Sequence, residues 1–264
     1  MAVAQLLDLG SLDDAFLATG RYWVTIEEAA KVTEASAVAA RSALRRMVLK
    51  KRAFSPARGL FVFVPPEYRS WGVVPLEWFI DPMMKRLDRS YYVGLLSAAE
   101  IHGAAHQRAQ VAQVFVDRAL DDRDVERVRL RFFSSAKISA HGIERRNSKT
   151  GTFLVSSPEL TVIDMCTWQR RAGGIDNVAT VISELADDNK LDVDRFNALA
   201  SEVEASAWRR TGFLVEQFSS LLLDAAIDEV SSGAPTLLDP HGPRSGAVDR
   251  RWNVRANVEV DPEA

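Results

Sequence analysis

Two helix-start signals stand close together near the beginning of this 264-residue chain, and together with the segments after them they narrow the choice of fold. Thr25 precedes the run Ile26 to Val32, and Glu28 three residues on completes a capping box, in which the threonine hydroxyl accepts an otherwise unpaired N–H. Glu27 and Glu28 in the first turn also suit the positive end of the helix dipole. The polar stretch Thr33-Glu34-Ala35-Ser36 reads as a turn, with Ser36 capping a second helix over Ala37 to Lys50. On that helix Ala40, Leu44, Met47 and Val48 recur at helical spacing and form the expected buried stripe. Ala53-Phe54, the turn Ser55-Pro56-Ala57-Arg58-Gly59 and Leu60 to Val64 then make a β-hairpin, stopped by Pro65-Pro66. A short helix over Leu12 to Ala18, closed by Gly20, and a small strand over Tyr22 to Val24 come first. The order helix, strand, helix, turn, helix, hairpin predicts a winged helix-turn-helix.

Charge singles out the same segment. Residues 1–75 hold ten Lys and Arg against seven Asp and Glu, whereas 76–264 hold 23 against 29. Between Glu34 and Glu67 there is no acid, and Arg41, Arg45, Arg46, Lys50, Lys51, Arg52 and Arg58 all fall in that window. Arg41 with Arg45, and Arg46 with Lys50, sit one helical turn apart and off the apolar stripe, facing water or a polyanion. A local basic footprint on a chain of net charge −3 is what a phosphate-binding module on a neutral body looks like. On this reading the second helix enters the major groove of DNA, with Ser36, Ala37, Arg41 and Ser42 near its N-terminus at base edges. Lys50, Lys51, Arg52 and the wing residue Arg58 contact phosphate, which positions the protein without specifying sequence. The plainer alternative is a trihelical protein-interaction module with a solvated basic face. The coincidence of the acid-free window, seven cations and a basic wing tip favours DNA.

Beyond Trp71-Gly72 the pattern changes. Leu76 to Leu87 and Tyr92 to His102 read as helices, and Val111 to Val116, Val128 to Phe133 and Thr152 to Val155 as strands. Pro158 to Trp168, Val178 to Ala186, Val193 to Glu204 and Phe213 to Val230 read as helices, Ser231 to Gly246 as loop, and Trp252 to Val260 as a final strand. Strands followed by helices imply a mixed α+β domain. The expected organisation is therefore α+β throughout, with a winged helix-turn-helix over 1–78 and a larger C-terminal α+β domain over 79–264.

Motifs that carry enzyme chemistry are absent: there is no G-x-S-x-G, G-x-G-x-x-G, Walker loop, H-E-x-x-H or C-x-x-C. The expectation is a protein that is not an enzyme and needs no cofactor. His102 and His106 share a helix face, as a metal site would require, but Gly103 stands where a metalloprotease carries its glutamate, and a structural role at a helix end is the simpler reading. Arg127, Arg129 and Arg131 alternate along one strand, either as a second polyanion contact or as a solvated face balanced by Asp121, Asp122 and Asp124; the second is favoured. Cys166 is expected to be a buried small hydrophobe, and Ser157-Pro158-Glu159 a helix start. A single cysteine forms no intrachain disulfide and fits a reducing cytoplasm. Met1 to Gly10 lacks the basic leader of a signal peptide, and the longest apolar stretch, near Tyr91 to Ala99, falls far short of the ~18 residues of a membrane helix, so no membrane is expected.

Several stretches together resemble the AbiEi-type antitoxins of bacterial abortive-infection systems. They are Arg58-Gly59-Leu60-Phe61-Val62-Phe63-Val64-Pro65-Pro66-Glu67-Tyr68-Arg69; Tyr91-Tyr92-Val93-Gly94-Leu95-Leu96-Ser97-Ala98-Ala99 with His102-Gly103; and Ser157-Pro158-Glu159-Leu160-Thr161 with Asp164. The resemblance implies a winged helix that represses its own operon at inverted repeats, where two symmetry-related half-sites call for two protomers. It also implies a C-terminal domain that neutralises a toxin resembling nucleotidyltransferases, without requiring a stable complex. Two alternatives stay open: a ligand-responsive winged-helix regulator with no toxin partner, and an unfamiliar enzyme such as a nuclease targeted by the winged helix.

Overall fold

A computed structural model describes residues 7–104, 111–135, 141–223 and 233–262. The chain packs into two compact units that are not sequential: Met1–Tyr91, Gln110–Ala136 and Arg145–Leu154 form the first, and Tyr92–Ala109, Lys137–Glu144 and Val155–Ala264 the second.

The first unit begins with α1 (Leu12–Ala18), β1 (Trp23–Thr25), α2 (Ile26–Val32), α3 (Ala37–Leu49), β2 (Ala53–Ala57) and β3 (Leu60–Phe63). This is the winged helix-turn-helix, and its local causes are those read from the sequence. Thr25 Oγ1 accepts from Glu28 N at 3.2 Å and Ser36 Oγ from Ala39 N at 3.2 Å, so both helices of the pair start on a side-chain cap. The three strands form an antiparallel sheet in the order β1-β3-β2, with Val24 opposite Phe61 and Phe54 opposite Val62. Leu12 and Phe16 of α1, Ile26 and Ala29 of α2, and Ala40, Leu44 and Met47 of α3 close over Phe61 and Phe63 as one core. The hairpin turn is tighter than expected. Ser55 and Pro56 belong to β2, where the register shifts between Phe54 and Ala57, and only Arg58 and Gly59 make the connection.

All four residues of β3 are buried because its other face is covered too. The segment expected as one helix over 76–87 is a 3₁₀ turn (Leu76–Trp78) and a separate helix α4 (Ile80–Leu87). Phe79 between them packs edge-on against Phe54 at 5.2 Å. Tyr22 and Tyr68 pack edge-on against Trp78 at 4.9 and 5.2 Å, and Lys149 lies over the same indole at 4.8 Å.

Six strands make a further sheet: β4 (Tyr91–Val93), β5 (Val111–Val116), β6 (Arg123–Val125), β7 (Val128–Ser134), β8 (Ile143–Ser148) and β9 (Gly151–Ser156), ordered β6-β7-β5-β4-β9-β8. β5, β6 and β7 belong to the first unit; the chain passes between units inside β4, β8 and β9. β5 and β7 run parallel, and β6 pairs antiparallel with β7. The start of the expected helix over 92–102 is thus strand, and α5 covers only Leu95–Ile101.

In the second unit α6 (Pro158–Thr167) starts on Ser157, whose Oγ accepts from Leu160 N at 3.2 Å. α7 (Ile175–Asp187), α8 (Val193–Leu199) and α9 (Ala205–Phe218) come after it. The helix expected over 213–230 instead starts at Ala205 and ends at Phe218, with 219–223 not helical; residues 224–230 lie outside the described residues, as do 231 and 232 of the expected loop. Within that loop Thr236–Leu237 is a strand, β10, which joins β11 (Ala247–Asp249) and β12 (Val254–Ala256) in the order β10-β12-β11. Trp252 seals this end: it packs edge-on against Trp208 at 6.2 Å and donates from Nε1 to Glu216 Oε2 at 2.9 Å. Its ring passes so close to Gly212 that a Cβ there would lie 2.2 Å away.

Candidate nucleic-acid interface

At 3.6 residues per turn, the buried positions Ala40, Ala43, Leu44 and Met47 occupy one side of α3. Val38, Arg41, Ser42, Arg45, Arg46 and Leu49 are exposed around the other, with Ser36 and Ala37 exposed at the N-terminal end. Lys50 caps the C-terminus and Lys51 comes next with φ 54°, turning the chain toward β2; both are exposed. Among the described residues, Arg41, Arg45, Arg46, Lys50, Lys51 and Arg58 enter no ion pair, so their charge is not spent on an acid of the same chain.

Arg52 differs from the rest of the series. Its Nε donates to Asp13 Oδ2 at 2.6 Å and its Nη2 to Asp13 Oδ1, with Asp14 Oδ2 at 3.4 Å. Asp13 is fully buried on α1, so the guanidinium is consumed in neutralising it. The expected phosphate contact at Arg52 is replaced by a bidentate internal pair that joins α1 to the start of the wing.

The wing tip is fixed from the side. Arg86 of α4 donates from Nε to the Arg58 carbonyl at 3.1 Å and reaches Glu27 of α2 with Nη2 at 3.6 Å. Gly59 has φ +81°, a conformation that favours glycine, and a Cβ there would stand 2.6 Å from Arg86 Nη2. Main-chain position at the tip is therefore set while the Arg58 side chain stays exposed. The Glu27 carboxyl is held below the usual carboxylate range, first by a hydrogen bond from the backbone at the α2 N-terminus and further by Thr25 and Arg86.

The arginines expected to alternate along one strand do not continue this free cationic surface as a set: Arg127 lies in the turn before β7, and only Arg129 and Arg131 are in the strand. Arg131 pairs with Asp124 at 2.9 Å and Asp122 at 3.5 Å, which is the internally balanced arrangement, while Arg127 and Arg129 are exposed. Arg123 donates to the Pro56 carbonyl at 3.0 Å and ties β6 to the wing strand.

In the second unit several of the residues that carry the family resemblance make buried or half-buried polar contacts. Tyr92 Oη donates to Asp164 Oδ2 at 3.0 Å, and His102 Nε2 donates to the Ser156 carbonyl at 2.7 Å. Ser156 Oγ and Thr161 Oγ1 share a hydrogen bond of 2.6 Å, and Glu159 Oε1 accepts from Asp192 N at 3.0 Å. Burial pushes the Asp164 carboxyl up to about 8. Such groups hold elements together from within and offer a partner no surface. His102 stands just past the end of α5, and Gly103 there has φ +78°. His106 lies outside the described residues, among which no three metal-ligating side chains gather. Cys166 is fully buried, and burial pushes its thiol up to about 12. Among the described residues no helix is long and apolar enough to cross a membrane.

Sequence reasoning passed over two residues on the exposed face of α3, Val38 and Leu49, and the positioning residue Arg86. Val38 and Leu49 were legible as apolar residues out of phase with the buried stripe. Arg86 was not, because it lies far from the wing in sequence.

Residues 92–217 match the family model described as the AbiEi antitoxin C-terminal domain. No curated protein gives a significant sequence match. The crystal structure of the RV2827C protein from Mycobacterium tuberculosis is similar in fold, with a TM-score of 0.62 at 13% identity, covering 96% of this chain and 92% of that one.

Proposed function

We propose that the chain, whose residues 92–217 are similar to the AbiEi antitoxin C-terminal domain, is the antitoxin of a toxin–antitoxin pair and also the autorepressor of its own operon. In this reading the winged helix binds inverted-repeat operator DNA, one copy on each half-site, because two symmetry-related half-sites call for two protomers. Ser36, Ala37, Arg41 and Ser42 approach base edges, and Arg45, Arg46, Lys50, Lys51 and Arg58 approach phosphates. Arg52 is left out, since its charge is committed to Asp13. The C-terminal domain counters a nucleotidyltransferase-like toxin, and no stable complex with it is required.

The observation that carries the reading is the exposed face of α3, with its cations free of internal acids and a basic wing tip held beside it. Surface lysines and arginines on a folded domain commonly find acids of the same chain; an acid-free cationic ridge on the second helix of a helix-turn-helix suits a polyanion.

The test uses the full-length chain. Arg41→Ala with Arg45→Ala should abolish retention of the DNA upstream of its own coding region and derepress a reporter driven from it. The same variant, co-expressed with the neighbouring nucleotidyltransferase-like toxin, should still rescue growth. Unchanged operator binding would overturn the interface, and loss of rescue with a folded variant would overturn the division of labour.

A further inference from the structure

The two most exposed large hydrophobic side chains among the described residues are both on α3: Val38 at 75% and Leu49 at 85%. Neither serves the core, which α3 reaches through Ala40, Ala43, Leu44 and Met47. Val38 is the second residue of the helix after the Ser36 cap, three and four positions before Arg41 and Ser42, so the three side chains are neighbours on one exposed face. A β-branched apolar residue at an exposed position contributes less to a helix than alanine would, so local stability gives no reason for it.

Resting on the proposed DNA-binding reading, we infer that Val38 is a specificity-determining residue that packs against the C5-methyl group of a thymine in each half-site. The argument is one of chemistry and place. The N-terminal part of a recognition helix meets base edges, and the major-groove edge of the four bases presents hydrogen-bonding groups together with a single apolar one, the thymine methyl. An exposed isopropyl group flanked by a guanidinium and a hydroxyl is matched to that edge: Arg41 and Ser42 supply polar readout and Val38 the apolar contact. Leu49 lies about 16 Å further along the axis at 1.5 Å per residue, at the end away from the N-terminal residues that meet base edges, and is not assigned this role.

The experiment selects, from a randomised duplex pool, the site bound by the full-length parent, then replaces each thymine of that site in turn by deoxyuridine, which removes only the methyl group. For the parent, one thymine per half-site should show a roughly fourfold loss of affinity, the factor to which burial of one carbon group at ~0.8 kcal/mol converts. Val38→Ala, which keeps the helix, should bind the thymine site several-fold more weakly and lose its sensitivity to uracil at that position while keeping sensitivity to base changes read by Arg41. A parent indifferent to every thymine-to-uracil change, or a Val38→Ala variant with undiminished sensitivity at the same thymine, overturns the assignment while leaving DNA binding intact. A parent that selects no sequence at all overturns the DNA-binding reading and the assignment together.

Discussion

Arg52 holds the buried carboxylate of Asp13 through two parallel hydrogen bonds across 39 residues of sequence, making a cation inside the basic window a part of the fold. Removing one partner of such a pair leaves the other uncompensated and costs about 3 kcal/mol or more. Arg52→Ala and Asp13→Asn should therefore each lower the urea midpoint of the full-length chain strongly, whereas Arg41→Ala, on an exposed position, should leave it within about 0.5 kcal/mol. Equal midpoints for the Arg41 and Arg52 variants would show that the pair does not carry this load.

Operator affinity should fall with salt, because each neutralised phosphate releases condensed counterions. Lys50→Ala and Arg58→Ala should each flatten the slope of log affinity against log salt by about one unit, without changing which sequence is preferred. Fluorescence anisotropy over a salt series reads the slope directly. A slope unaffected by both substitutions would place these side chains away from the DNA backbone.

Lys51 combines a free charge with a left-handed backbone at φ 54°, the position after a helix end where glycine is favoured. Lys51→Gly should relieve about 1 kcal/mol of conformational cost and raise the melting temperature, while weakening DNA binding by the loss of one cation. Stability and affinity moving in the same direction would contradict this account.

Stability should also fall as pH rises between the carboxylate range and neutrality, because of Asp164. Its folded-state pKa of about 8 exceeds the unfolded value, so between the two the folded chain binds one proton more than the unfolded chain. The penalty for the charged form begins to accumulate above about pH 4 and levels off above the folded pKa. Asp164→Asn retains an oxygen for the Tyr92 hydroxyl and removes the titration. It should show a flatter dependence and a gain over the parent that grows with pH, measured by urea unfolding from mildly acidic to mildly alkaline buffer. Parallel profiles for the two proteins would mean that Asp164 does not titrate in this range.

The N-terminal elements were legible because their signals are local. Thr25 and Ser36 cap helices within three residues of themselves, and the stripe Ala40, Leu44 and Met47 needs only helical periodicity. Tyr92 and Val93 were assigned to a helix because a short apolar run has the same appearance in a buried strand. β8, Ile143–Ser148, was missed because Glu144, Arg145, Arg146 and Asn147 carry no alternation of apolar and polar residues. At the interface, the sequence showed which cations are clustered but not which are occupied: Arg52 resembles Lys51 in the chain and is distinguished only by Asp13, on another helix. The organisation over 79–264 was read as a continuous stretch, since composition cannot reveal that the strands over 111–134 pack with the winged helix in one unit.

That interleaving constrains how such a protein can change over evolutionary time. Since the polypeptide passes between its two units within three separate strands, no single crossover joins one complete unit to a foreign partner. Whatever the two units do, they are inherited together, and new combinations must arise by substitution in place, at positions such as the outer face of α3, and not by exchange of cassettes.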